Sequence, residues 1–255
     1  MDHLELTRNE FTRQAQAFAT AAATTDKALI ARLVDALGSV ATGKVLDVAC
    51  GPGIVTEALG RVAREVVALD LTPEMLTRAR ERCAQAGLSN VTFREGSATQ
   101  LPFADNTFDA VVTRLSFHHF PDPRSVLVEM VRVTGQGGTV LVADAVSSED
   151  REKSALHNAI EITRDPSHVR MLPASELVSL IRGAGLEIVA QDTWDQRREF
   201  DEWARIVGDA DRTGPLRTMA RALARAGEDA GIGLAFDNGA LVFFHRWHMI
   251  VARKA

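Results

Sequence analysis

Val45-Leu46-Asp47-Val48-Ala49-Cys50-Gly51-Pro52-Gly53 decides how this chain is read. An almost continuously apolar run fits a strand buried on both faces, and it ends in a Gly-x-Gly turn. Glycine there lets the backbone come close to a ligand at the carboxyl edge of a sheet. Asp70 closes a second run, EVVALD over 65–70, and lies 19 residues after Gly51. A carboxylate at that place accepts both hydroxyl donors of a ribose. The competing reading is a tight turn with Asp70 capping the helix that Pro73 begins.

Outward from this turn, short β-rich runs alternate with helix-length stretches. Residues 44–49, 65–70, 91–94, 108–113 and 139–144 read as strands, with helices from Pro73 to Gly87 and over 123–133. That alternation predicts βαβ units and a parallel sheet covered on both faces. Upstream, residues 8–38 read as a helical cover, with Phe11, Ala15, Phe18, Leu29, Ile30, Leu33, Val34 and Leu37 at helical spacing and Gly38 as the stop. Beyond 150 the pattern changes. Residues 151–165, 173–184 and 200–228 read as helical, 186–194 as a strand, and 240–252 as a long final strand. The last two strands enclose a helical insertion and are expected to pair antiparallel at one sheet edge.

At 255 residues the chain has room for one α/β domain that needs no disulfide or metal staple. We expect a single domain, with a cofactor-binding core over 40–145, acceptor-covering elements over 146–238 and a final strand over 239–255. Twenty-nine basic against 34 acidic residues gives a net charge of −5, which offers a nucleic-acid surface no support. The two cysteines, Cys50 and Cys83, fall in different elements and are expected as reduced thiols of a cytoplasmic protein. No apolar stretch reaches the length of a membrane span. With no tyrosine in the chain, any proton transfer falls to His, Asp, Glu, Lys or Cys.

A nicotinamide site wants a third glycine three residues after Gly53, and Thr56 stands there instead. Asp47 would oppose a phosphate but suits an ammonium group. S-adenosylmethionine has a ribose, an adenine, an amino-acid end and a sulfonium, and no phosphate, so it fits an acidic, glycine-turned pocket better.

The ordered set VLDVACGPG, VVALDLTPEML, EGSATQLPFADNTFDAVV and LSFHHFPDP resembles the class I S-adenosylmethionine-dependent methyltransferase family. The likeness covers roughly 40–145 and is closest to the small-molecule group that includes the ubiquinone/menaquinone-biosynthesis C-methyltransferases. It implies a Rossmann-like α/β fold: a seven-stranded sheet, mostly parallel, with an antiparallel last strand. It also implies S-adenosyl-L-methionine as cofactor and S-adenosyl-L-homocysteine as product. By that resemblance Asp47, Ala49, Gly51 and Gly53 surround the methionine part, and Asp70 holds the ribose. Leu71 and Met75 lie beside the adenine, Ser97 and Ala98 stand where relatives carry Asp-Ala, and Arg114, Leu115 and Ser116 line the sulfonium end. The longer N-terminal Gly-His-Arg-x-Trp motif of the quinone enzymes has no counterpart here, nor does the Lys-Pro that usually precedes Gly137-Gly138.

For the acceptor, the candidates are His118 and His119 after the fourth strand, Asp144 ending the fifth, and His157, His168 and Arg170 beyond it. Of these His118, His119 and His168 are the catalytic candidates, each set against a packing role. Asp144 reads alternatively as a helix cap, and no metal site is expected. Arg217, Arg221 and Arg225 recur every four residues, as a solvated face or a basic lid over an anionic acceptor. Phe200, Trp203, Ile206 and Val207, like Phe11 and Phe18, read as core or as walls of a planar acceptor's site. The expected partner is a small organic acceptor methylated at carbon, oxygen or nitrogen, and a homodimer is compatible with the chain. The alternatives are an NAD-dependent oxidoreductase and a non-catalytic adenosyl-cofactor-binding protein.

Overall fold

A computed structural model describes residues 2–21 and 25–255. The strands are β1 (Lys44–Val48), β2 (Glu65–Asp70), β3 (Val91–Glu95), β4 (Phe108–Arg114), β5 (Thr134–Val146), β6 (Leu186–Glu199), β7 (Ala235–Asp237) and β8 (Ala240–Lys254). They form one sheet in the order β3-β2-β1-β4-β5-β8-β6, with β7 paired to β8. β1 to β5 run parallel, and β8 inserts antiparallel between β5 and β6. The Rossmann-like expectation holds, with one added strand. β7 and β8 form a hairpin through Asn238 (φ 47) and Gly239 (φ 83), the left-handed pair that an Asn-Gly turn supplies.

Helix α3 (Ile54–Gly60) follows the glycine turn, and α4 (Pro73–Gln85), α5 (Pro123–Val133), α6 (Arg151–Arg164) and α7 (Ala174–Gly183) follow the expected spans. Proline opens α4 and α5 at the first turn, where its missing N–H costs nothing. The stretch 200–228 is two helices, α8 (Phe200–Val207) and α9 (Ala210–Arg225), because Gly208 turns left-handed (φ 67) and Asp209 caps the second.

The helix expected over 8–38 is also two, α1 (His3–Thr20) and α2 (Lys27–Leu37), capped by Asp2 and Asp26. Residues 22–24, which that expectation included, lie outside the described residues. The two helices have different destinations. α2 buries Ile30, Leu33 and Leu37 against Val45, Val66 and Val251, and so belongs to the core. α1 lies across α4 and α8 and is held there by polar ties: His3 Nε2 donates to the carbonyl of His119 at 2.9 Å, and Arg13 Nη1 to that of Val207 at 2.7 Å. Only α1 is a cover. Among the described residues no helix is long and apolar enough to cross a membrane.

Candidate active site

The carboxyl edges of β1, β2 and β4 frame a cleft of about 1090 Å³, counted out to its mouth, and α1 roofs it with Leu4, Phe11 and Phe18. Of the residues expected around a cofactor, Asp47, Ala49, Gly51, Asp70, Leu71, Met75, Ser97, Ala98, Arg114 and Ser116 all line this cleft. Gly53 does not. It starts α3 with φ 78, and a Cβ there would stand 2.8 Å from the Cα of Ala79, so its glycine serves the packing of α3 on α4.

Asp70 organises the turn. Its Oδ2 accepts the N–H of Gly51 at 2.8 Å and its Oδ1 that of Thr72 at 2.9 Å, so the carboxylate ties β2 to the glycine turn and caps no helix. Each oxygen keeps a lone pair for a further donor. Burial pushes this carboxyl up, against the pull of those backbone N–H groups. Above Gly51 (φ 54) a Cβ would meet nothing within 4 Å, which leaves the space over the turn open to a ligand.

Asp47 is almost wholly buried and accepts from Thr56 Oγ1 at 2.6 Å. Thr56, the residue that replaces a third glycine, therefore has its own task. Burial lifts the Asp47 carboxyl to about 7, and the same desolvation brings the Arg114 guanidinium down to about 10. Ala49 and Leu115 both have φ 55, a left-handed conformation that is rare for leucine. Both strained residues line the cleft, at the ends of β1 and β4.

His118 and His119 form a short 3-10 turn after β4 with Phe117, and point to different places. His119 lines the cleft, gives its Nδ1–H to the carbonyl of Ser167 at 3.0 Å and packs edge-on against Phe11. Burial, then the neighbouring His118, lowers it to about 4, so its imidazole is neutral. His118 lines a second cavity and sets Nδ1 2.6 Å from Asp144 Oδ1. Burial pulls His118 down, but the charge and hydrogen bond of Asp144 outweigh it and leave the imidazole raised above 6.5. Asp144 thus orients a histidine, and the cap of α6 is Asp150.

His168 lines neither cavity. Its Nε2–H is held by Asn158 Oδ1 at 2.9 Å, behind the His118 ring, and burial keeps it deprotonated. Arg170 pairs with Glu176 on the surface. Arg217 pairs with Asp201, while Arg221 and Arg225 lie over Phe236, and none of the three lines the cleft or the second cavity. Phe200 packs in a core cluster with Trp203 and Phe243. Trp203 and Ile206 also wall the second cavity.

That cavity, about 510 Å³ when counted out into open solvent, shares Phe18 and Leu115 with the cleft. It is lined as well by Glu161, Arg164, Arg198 and His245, which sequence reasoning missed. The signal for one pair was His157 and Glu161, four apart on α6; nothing along the chain links them to Arg198 on β6 or His245 on β8. His157, Glu161 and His245 bring ligand atoms within 4.8 Å of one another, a geometry that could hold a metal ion. Glu161 already accepts Nε2–H of His245 at 2.8 Å and faces Arg164 Nη2 at 3.3 Å, so neighbouring positive charge opposes a dication there.

A strand-turn-helix cleft with a diol-sized carboxylate at the next strand end is the nucleoside-binding edge of a doubly wound α/β protein. Residues 46–142 match the family model described as a methyltransferase domain. An uncharacterized methyltransferase of Bacillus subtilis, YcgJ, is 33% identical over 176 residues, covering 69% of this chain and 70% of that one. The demethylmenaquinone methyltransferase of Renibacterium salmoninarum is 41% identical over 112 residues, 44% of this chain and 45% of the relative. A solved putative methyltransferase of Bacillus halodurans superposes with a TM-score of 0.82 at 28% identity, over 88% of this chain and 98% of the other. A geranyl diphosphate methyltransferase solved with SAM shares the fold at 16% identity, with a TM-score of 0.62 over 89% and 85% of the two chains. The chain belongs to the S-adenosylmethionine-dependent methyltransferase family.

Proposed function

We propose that the cleft binds S-adenosylmethionine and that the methyl group passes to a small organic acceptor in the second cavity. The observation that carries this reading is the seam between them: Phe18 and Leu115 border both spaces, so a ligand in one abuts a ligand in the other. The residues suit the cofactor. Asp70 has spare lone pairs for two ribose hydroxyls, Leu71, Met75 and Ala98 offer an apolar slot for a base, and Asp47 offers a carboxylate to an ammonium group. A bound cation would also favour ionised Asp47, which burial alone disfavours.

When bound, S-adenosylmethionine supplies an electrophilic methyl on a good leaving group. The chain's own part is alignment, exclusion of water by α1 and, for an acceptor that carries a proton, removal of that proton. His118 is the group for the last task. With Nδ1–H given to Asp144, its Nε2 lone pair is left for the cavity it lines. His119, neutral and turned to Ser167, supports the cleft wall instead.

Two observations weigh against the alternatives. Thr56 is committed to Asp47, leaving a carboxylate where a nicotinamide cofactor needs a pyrophosphate cradle. A protein that only bound the cofactor would have no use for a cavity beyond the seam. Calorimetry with S-adenosylhomocysteine and with NAD tests the cofactor, and release of S-adenosylhomocysteine across an acceptor panel tests the reaction. Failure to bind S-adenosylhomocysteine at millimolar concentration, or tighter binding of NAD, overturns the reading.

A further inference from the structure

The second cavity has a chemical character of its own. Arg198 is 8% exposed and Arg164 9%, and both line it. Arg164 sets Nη2 3.3 Å from Glu161 and Nη1 3.4 Å from the carbonyl of Trp203, with its guanidinium carbon 4.5 Å from the Trp203 ring centroid. Its Nε–H is buried without a partner. Arg198 has one contact, Nη1 to His245 Nδ1 at 3.4 Å; its Nε and Nη2 are likewise buried and unmet. The indole Nε1 of Trp203 is a fourth buried donor without an acceptor. Buried polar groups, and charged ones above all, are ordinarily satisfied, so four unmet donors on residues that line one cavity favour an acceptor-rich group beside them.

The charges agree. Two guanidiniums line the cavity against one carboxylate, Glu161, and that carboxylate is taken up by His245 and Arg164. Asp144 is engaged by His118. Asp165, which lies near Arg164, is held by Ser167 and Gln14. Glu202, near Arg198, is only half-buried. The rest of the lining is mostly apolar, with Phe18, Leu115, Met171, Trp203, Ile206 and Trp247, and adds the polar side chains of His118, Gln196 and His245. A guanidinium presents its donors in a planar fork that matches a carboxylate.

Taking this cavity as the acceptor site, as proposed above, we infer that the acceptor is a monoanion: a planar apolar skeleton carrying a carboxylate that Arg164 and Arg198 hold. The anion-reading role that the sequence offered to Arg217, Arg221 and Arg225 thus passes to two arginines on other elements. The fork anchors one end of the skeleton and leaves the rest to the apolar part of the wall and to the seam at Phe18 and Leu115.

The test uses the whole chain saturated with S-adenosylhomocysteine, titrated calorimetrically with benzoate, salicylate and 1-naphthoate against the amides of the same skeletons. The carboxylates are expected to bind at least about tenfold more tightly than their amides, the scale of a charge-assisted contact. Arg198→Met and Arg164→Met should each remove that preference while leaving S-adenosylhomocysteine affinity unchanged, and Arg198→Lys should retain part of it. Equal binding of acid and amide, no binding of any carboxylate, or a preference that survives both methionine variants would overturn the inference. The acid-amide comparison in the unaltered chain stands even if a variant does not fold. Failure of S-adenosylhomocysteine itself to bind would instead count against the cofactor reading.

Discussion

His118 gives Nδ1–H to Asp144 Oδ1 at 2.6 Å, and the same carboxylate accepts the backbone N–H of His118 through Oδ2 at 3.2 Å. Ring and backbone are held by one side chain, so the imidazole has a fixed tautomer and a fixed direction. As a base it works unprotonated, and its pKa is raised. Turnover of a proton-bearing acceptor should therefore rise with pH through a midpoint above 6.5. In Asp144→Asn the midpoint should move down, because the charge that raised it is gone. His118→Ala should lower kcat about 10²-fold with S-adenosylhomocysteine affinity intact. A pH-rate profile that Asp144→Asn does not move would refute the pairing.

Asp70 joins the ligand to the turn. Asp70→Ala should weaken S-adenosylhomocysteine binding by about 10²-fold, the loss of two hydrogen bonds to a charged acceptor. It should also cost the fold about 1–3 kcal/mol, because the N–H groups of Gly51 and Thr72 lose their acceptor. Calorimetry and thermal unfolding separate the two effects. These two bonds are the reason the substitution should not leave the fold intact.

Asp47 should show the opposite balance. Its carboxyl is raised from 3.8 to about 7, so the folded chain keeps a proton that the unfolded chain releases. The stability this group contributes is present below the unfolded pKa and lost as pH rises through about 7. At about pH 8 the buried charge costs the ligand-free protein up to about 4 kcal/mol. Asp47→Asn should thus raise Tm at alkaline pH, leave it nearly unchanged at strongly acid pH, and weaken cofactor binding. A lower Tm at alkaline pH would contradict the assignment.

The two glycines of the turn should part company. Gly53→Ala drives a methyl to 2.8 Å from the Ala79 backbone at a left-handed φ and should cost about 2–4 kcal/mol. Gly51→Ala meets open space and should cost about 1–2 kcal/mol of backbone strain. Its methyl should weaken S-adenosylhomocysteine binding more than it weakens the fold. Equal Tm losses would undo the distinction.

Local patterning carried the reading far where the chemistry is contiguous. The VLDVACGPG turn, the acid at 70 and the alternation of strand and helix all depend on neighbours in the chain, and the parallel core with its antiparallel edge followed from them. The Asn238-Gly239 hairpin was equally legible but short enough to pass as loop. The breaks at Gly208 and between α1 and α2 were hidden inside continuous helical periodicity, because spacing does not reveal where a left-handed residue or a capping aspartate interrupts it.

What the sequence by itself determined is the cleft, since strand ends and the turns after them meet at one sheet edge whenever the strands run parallel. Only the tertiary structure decided which histidine faces which space and where positive charge collects. His118 meets Asp144, and Arg198 meets His245, which meets Glu161 beside Arg164, across separate elements whose approach depends on how β8 slots between β5 and β6. Burial brings His245 down to about 4 and Arg198 down to about 10, and burial is a property of packing that no spacing along a chain encodes.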